Sequence, residues 1–162
     1  MQVLSVLRHS RKRNDPAGSD FDRILVPVNG GEADAGAIEL ACSLAGGKSK
    51  KTIIAVNVIP VERCLPLDAE VDSAVGRAEG IMSVVEKQVE KLGHTALTDI
   101  LQARNIGSAI IQASIEHCVD LILINLTYKQ MGEHCLGKLA HYVLKNAPCR
   151  VILNYEADVT QS

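Results

Sequence analysis

The fold class this sequence predicts is α/β: a five-stranded parallel, doubly wound sheet with helices on both faces. Three observations predict it. Short apolar runs of strand length alternate with longer amphipathic stretches in the order βαβαβαβαβ. The apolar residues are mostly Val, Ile, Leu and Ala, with one Phe (Phe21), three Tyr and no Trp, which is the filling of a sheet buried on both sides. A length of 162 residues suits one core rather than two.

The elements follow in order. Residues 1–20 read as a basic, flexible arm: Arg8, Arg11, Lys12 and Arg13 lead into the turn formers Asn14, Asp15, Pro16, Gly18 and Ser19. The domain itself spans 21–156, and 157–162 form a flexible tail. Arg23–Val28 is a buried strand that ends at the tight turn Asn29-Gly30-Gly31. Glu32–Ala45 is a helix whose acidic first turn, Glu32 and Asp34, suits the positive end of the dipole. Its inner stripe is Ala37, Ile38, Ala41, Leu44 and Ala45, and Gly46-Gly47 stops it. Thr52–Ile59 is a second buried strand closed by Pro60. Asp68–Leu92 is a long helix with Ala74, Ala78, Ile81, Val85, Val89 and Leu92 inward, ended by Gly93. Residues 96–103 alternate polar and apolar, which marks a strand near a sheet edge. Ile106–Cys118 is a helix with Ile106, Ile110, Ile111 and Ile115 inward. Asp120–Asn125 is the most strand-like run of the chain. After a polar loop, Leu126–His134, a helix carrying Leu136, Leu139, Ala140, Val143 and Leu144 on one face runs to Asn146. Pro148 breaks it, and Arg150–Tyr155 is the last strand.

Composition excludes several functions. A net charge of −2 supplies no general basic excess for nucleic acid. The five cysteines, Cys42, Cys64, Cys118, Cys135 and Cys149, are odd in number and form no CxxC pair, so free core-lining thiols in a reducing cytoplasm are expected. No run approaches the roughly 18 apolar residues of a membrane span. The apolar Val3–Leu7 precedes the charges instead of following them, the reverse of a signal peptide. Glu-His-Cys occurs at 116–118 and again at 133–135. Adjacent His and Cys on a helix point about 100° apart and rarely share a metal, so one buried thiol beside one exposed imidazole is expected, and no metal. The motifs of acyl transfer, zinc hydrolysis and complete phosphate loops are absent, so no enzyme activity is expected.

In a doubly wound sheet, ligands sit beyond the carboxyl ends of the strands where strand order reverses. Two strands end in conspicuous polar turns, at Asn29-Gly30-Gly31 and from Asn125 onward, and any site is expected between them. From Asp22 to Tyr155 the chain resembles the universal stress protein family. The segments RILVPVNGGEADAGAIELACSLA, AVNVIPV, IGSAIIQASIEHCVDLILIN and LGKLAHYVLKNAPCRVIL carry that resemblance. It implies an adenine nucleotide alpha hydrolase-like sheet of order 3-2-1-4-5, with the first and fourth strands adjacent. It also implies a comparison with the ATP loop of many members, Gly-x2-Gly-x9-Gly-Ser/Thr. Here Asn125 and Tyr128 stand in place of the first two glycines, Gly137 keeps the third, and Lys138 replaces the hydroxyl residue. The stretch 129–136 is one residue short. Asn29 replaces an aspartate in the first turn, and Val58 matches the position that packs near adenine. Side chains at 125 and 128 fill space that glycines leave for phosphate, so weak or no ATP binding is expected. Lys138 can attract an anion or occupy its place.

Two functional classes follow from the resemblance and the arm. One is a cytoplasmic stress-response homodimer that acts on partners. The other is a nucleotide- or ligand-sensing cytosolic domain of a membrane transporter, since the basic arm also looks like the stretch after a last membrane helix. Val151, Ile152 and Leu153 in the last strand form an apolar edge that a second copy is expected to cover.

Overall fold

A computed structural model describes residues 21–46, 49–63, 72–126 and 137–155. The elements are β1 (Arg23–Pro27), α1 (Ala33–Ala45), β2 (Thr52–Pro60), α2 (Asp72–Lys91), β3 (Thr95–Ala103), α3 (Ile106–Glu116), β4 (Leu121–Leu126), α4 (Gly137–Asn146) and β5 (Arg150–Tyr155). All strand pairs are parallel and their order is β3-β2-β1-β4-β5, as expected. The arm, the tail, Tyr128, the stretch 129–136, Cys64, Cys135 and the second Glu-His-Cys lie outside the described residues.

Burial explains which strands are central. Ile24–Val26, Ile53–Val56 and Leu121–Ile124 are continuously buried, because a strand between two neighbours and two helical layers has no wet face. Alternation then divides the core in two. Ile24, Val26, Ile53, Leu121 and Leu123 pack with Ala37, Ile38, Met82, Val85 and Val89 on the α1/α2 side. Leu25, Ile54, Val56, Ile122 and Ile124 pack with Ile110, Ala113, Ala140 and Val143 on the α3/α4 side. The strand at 95–103 lies at one edge and β5 at the other.

Polar contacts hold the amino ends of the strands together. One carboxylate oxygen of Asp120 accepts the amides of Asp22 and Arg23 at 3.0 and 3.1 Å. The Asp120 amide donates to the Arg23 carbonyl at 2.8 Å, which ties the start of β4 to β1. Arg23 Nε in turn donates to the His117 carbonyl at 2.6 Å.

Several inward residues differ from the expectation. Leu92, Ile106, Ile115 and Leu144 are exposed, whereas Cys42 and Met82 are buried and Leu44 and Ile81 are half-buried. Helices over the margins of a sheet contact it with a narrow stripe, so the flanks of each apolar face stay wet. On α3 the contact stripe is Gly107, Ile110, Ala113 and Ser114. A Cβ on Gly107 would lie 2.6 Å from Tyr142 Cδ1, so glycine there lets α4 approach. Pro60 ends β2 from inside the strand, paired with Ala103, instead of following it.

The thiols also divide. Cys42 is buried and Cys149 half-buried, and desolvation pushes both up to about 11, so they are neutral. Cys118 is exposed, against the expectation of a core-lining role, and adopts φ 49. It ends α3 in the left-handed position usually held by glycine: its amide donates to the Ile115 carbonyl and that of Val119 to Ser114. The neighbouring His117 is half-buried, with Nε2 hydrogen-bonded to Asp99 Oδ2 on β3. At 116–118 the thiol is therefore the exposed group and the imidazole the engaged one, because the helix stops there and the chain turns the thiol outward.

Candidate functional site

The crevice lies where β1 and β4 meet at their carboxyl ends, flanked by the turn into α1. In that turn Gly30 has φ 84, a backbone conformation that favours glycine, and a Cβ there would meet only the end of the Ile81 side chain, with Cδ1 at 2.8 Å. The turn exposes a row of amides at a helix start, an arrangement suited to an anion. Here the chain supplies its own. Asp34 Oδ2 accepts the Asn29 and Gly30 amides at 2.9 and 2.7 Å. Asn29 Oδ1 accepts the Gly31 amide at 2.8 Å. Burial pushes the Asp34 carboxyl above its ordinary value, opposed by the amides of Gly30, Asn29 and Gly31.

Across the crevice Asn125 spans β4 and α1. Its Nδ2 donates to the carbonyl of Ala33 at 3.1 Å, and its Oδ1 accepts Asn154 Nδ2 at 2.9 Å. Asn125 and Asn154 face one another in the β4–β5 register, so pairing places the two amides together. Beneath, Asn57 is buried and donates Nδ2 to the Val28 carbonyl at 2.9 Å, carrying the β1–β2 pairing one step past the end of β1.

The sequence-predicted site residues are therefore distributed unevenly. Asn29 and Asn125 meet at the start of α1, through Asp34 and Ala33 respectively. Val58 is half-buried on β2 against the α3/α4-side core. Gly137 opens α4 with φ 70, and Lys138 beside it is exposed. Tyr128 is outside the described residues. Sequence reasoning missed Asp34 as an acceptor, Asn57 and Asn154. The available signals were a carboxylate five residues past Asn29, and single polar residues inside TIIAVNVI and RVILNY.

The contacts seen at the crevice hold the backbone and bridge elements. Among the described residues no group of three or more His, Cys, Asp or Glu is placed to hold a metal ion. Nor is any helix there long and apolar enough to cross a membrane.

At the far edge, Val151, Ile152 and Leu153 are half-buried: Ile152 packs on the α1/α2-side core, Val151 and Leu153 on the other. Both faces of β5 are thus partly covered, and among the described residues it pairs only with β4. The Arg150 guanidinium lies over the Phe21 ring at 5.6 Å.

A five-stranded parallel sheet of order 3-2-1-4-5 with a crevice at its switch point defines the adenine nucleotide alpha hydrolase-like class. Within that class, the universal stress protein family model matches residues 20–153, and the chain belongs to that family. The fold is similar to that of the hypothetical protein MJ0577, with TM-score 0.71 and 18% identity over 86% of this chain and 99% of that one. It is similar to universal stress protein UspA from Lactobacillus plantarum, with TM-score 0.62 and 24% identity over 81% and 95% of the two chains. A third similar structure is the universal stress protein from Archaeoglobus fulgidus in complex with dAMP, with TM-score 0.62 and 17% identity over 83% and 98%. No curated protein matches the chain.

Proposed function

We propose that this universal stress protein is a cytoplasmic, homodimeric regulatory module that works by partner binding, with weak or no ATP binding and no ATP hydrolysis. The observation that supports this reading is the set of hydrogen bonds the chain makes with itself at the carboxyl ends of β1 and β4. Asp34 accepts the amides of the turn into α1, and Asn125, which stands where the family's ATP loop has its first glycine, bridges β4 to the start of α1. A nucleotide phosphate would meet the Asn125 side chain where a glycine leaves space. The dimer rests on β5, whose apolar edge is long enough to pair with its own copy about a two-fold axis.

Native mass spectrometry of the purified full chain tests both parts. The expected result is a dimer mass without nucleotide; a monomer, or a mass increment of an adenine nucleotide, contradicts it. Ile152→Pro removes a donor and clashes with a paired neighbour, and is expected to give monomer or insoluble protein.

A second reading is a nucleotide- or ligand-sensing cytosolic domain of a membrane transporter. It is favoured by the exposed Lys138 at the start of α4 and by the dAMP held in the Archaeoglobus fulgidus relative. Bound nucleotide in the native mass spectrum would support it.

A further inference from the structure

An opening lies away from the crevice, between β3 and α3. It is a cleft of about 420 Å³, lined by Leu101, Gln102, Arg104, Ser108, Gln112 and Glu116 among others. That volume falls in the range of roughly 300–1,000 Å³ typical of ligand clefts. Its floor is an edge strand: among the described residues, β3 pairs only with β2 along nine residues, Thr95–Ala103. An edge strand presents a row of backbone donors and acceptors to whatever lies beside it.

Alternation puts Leu97, Asp99 and Leu101 on the α3 side of that strand. Leu97 is 39% exposed there, so α3 leaves this part of the sheet uncovered. The wall of the cleft is one side of α3, read at helical spacing as Asn105, Ser108, Gln112 and Glu116. Asn105 Oδ1 accepts the Ser108 amide at 2.9 Å, and Gln112 Nε2 donates to Glu116 Oε1 at 3.0 Å, which fixes the wall's polar groups. The primary amides of Gln102 and Gln112 both donate and accept, as peptide groups do. Charge is divided: Arg104 stands just before the upper end of α3 and Glu116 at its lower end, and the 11-residue helix spans about 16 Å at 1.5 Å per residue.

We propose that this cleft docks an extended peptide segment of a partner protein, which adds to the outer edge of β3 with a basic residue toward Glu116 and an acidic residue toward Arg104. In an extended chain, residues four apart share a face and lie about 13 Å apart, a span that two long charged side chains complete. The residue between them on that face meets Leu101 and Ala109. Strand addition draws its affinity from main-chain hydrogen bonds and its selectivity from alternate side chains. The inference extends the partner-binding reading and rests on it. Its failure is distinguishable, because occupancy is read at β3 and α3, while the dimer is read at β5 and nucleotide at the crevice.

The probe is a capped heptapeptide, Thr-Lys-Thr-Val-Thr-Glu-Thr, added to the isotope-labelled full chain. Two control peptides carry Lys at both charged positions or Glu at both. Expected are amide shift changes along β3 and at Ser108 and Gln112, with slowed hydrogen exchange of the outward amides of β3. The mixed peptide should bind about fivefold tighter than either control, the scale of one exposed ion pair. Arg104→Glu should transfer the preference to the peptide with two lysines. Ser108→Trp, at an exposed position, should fill the cleft and abolish the shifts while circular dichroism stays native. Absent shifts in the wild type, equal affinity for the three peptides, or binding untouched by Ser108→Trp would each overturn the proposal. So would shifts at α3 without protection of β3, which would assign the cleft to a small ligand.

Discussion

The crevice above β1 and β4 and the cleft beside β3 belong to one sheet, and they differ in what their polar contacts join. In the crevice Asp34 takes two loop amides, Asn125 joins β4 to α1, and Asn57 takes the Val28 carbonyl. On the α3 wall of the cleft the contacts run along the helix, from Ser108 to Asn105 and from Gln112 to Glu116, beside an opening of about 420 Å³. Strand order locates a crevice in every sheet of this topology, but side chains decide whether it can accept a ligand. Here the described contacts at the place that topology favours join the chain's own groups, while the cleft beside β3 lies where topology singles out nothing.

The largest effect is expected on the α4-facing side of the helix that walls the cleft. Gly107→Ala puts a methyl 2.6 Å from Tyr142 Cδ1, so α3 and α4 must part. Overpacking of this kind costs about 2–3 kcal/mol, read as a lowered urea midpoint. An unchanged midpoint would mean that α3 is not seated as described. A smaller loss is expected on the floor of the crevice. Asn57→Ala strands the Val28 carbonyl beneath the site and should cost about 2 kcal/mol by the same measurement. Wild-type stability in that variant would remove Asn57 from the account.

Smaller again is the effect of Asp34→Ala, about 1 kcal/mol at neutral pH, since two amides lose their acceptor. Asp34→Asn keeps an acceptor and should change the pH dependence more than the stability. Burial raises the folded pKa of Asp34, so the native state holds that proton more tightly than the unfolded chain does. The stability this contributes is complete below the unfolded pKa and is lost as pH rises through the raised folded value. The asparagine variant has no such loss. Relative to wild type, its urea midpoint should therefore improve as pH rises from about 3 to 7. A relative decline over that interval would reverse the assigned direction.

The fold was legible because it is written in local pattern. Apolar runs such as RILVPV and DLILIN, each bounded by a turn or a helix, suffice to count strands, and the alternating 96–103 announces an edge. Facing was less legible. Ile106 and Ile115 obey a helical stripe and yet are exposed, because Gly107 and Ala113, small and inconspicuous, are where α3 meets its neighbours. The crevice was legible as a place and as a set of departures from glycine at Asn125 and from aspartate at Asn29. Its internal contacts were not, because they depend on register: Asn125 meets Asn154 across β4 and β5, and Asp34 reaches back over a turn whose shape Gly30 sets. The cleft left no mark in the sequence, since it is made by what α3 does not cover.

Titration calorimetry with Mg-ATP decides whether the chain's own groups at the crevice exclude nucleotide. Wild-type full chain and Asn125→Gly should be titrated side by side. The account predicts no saturable heat for the wild type up to high micromolar nucleotide, and a gain of binding when removal of the Asn125 side chain frees the Ala33 carbonyl and opens the space above β4. A wild-type dissociation constant in the micromolar range or tighter would contradict it.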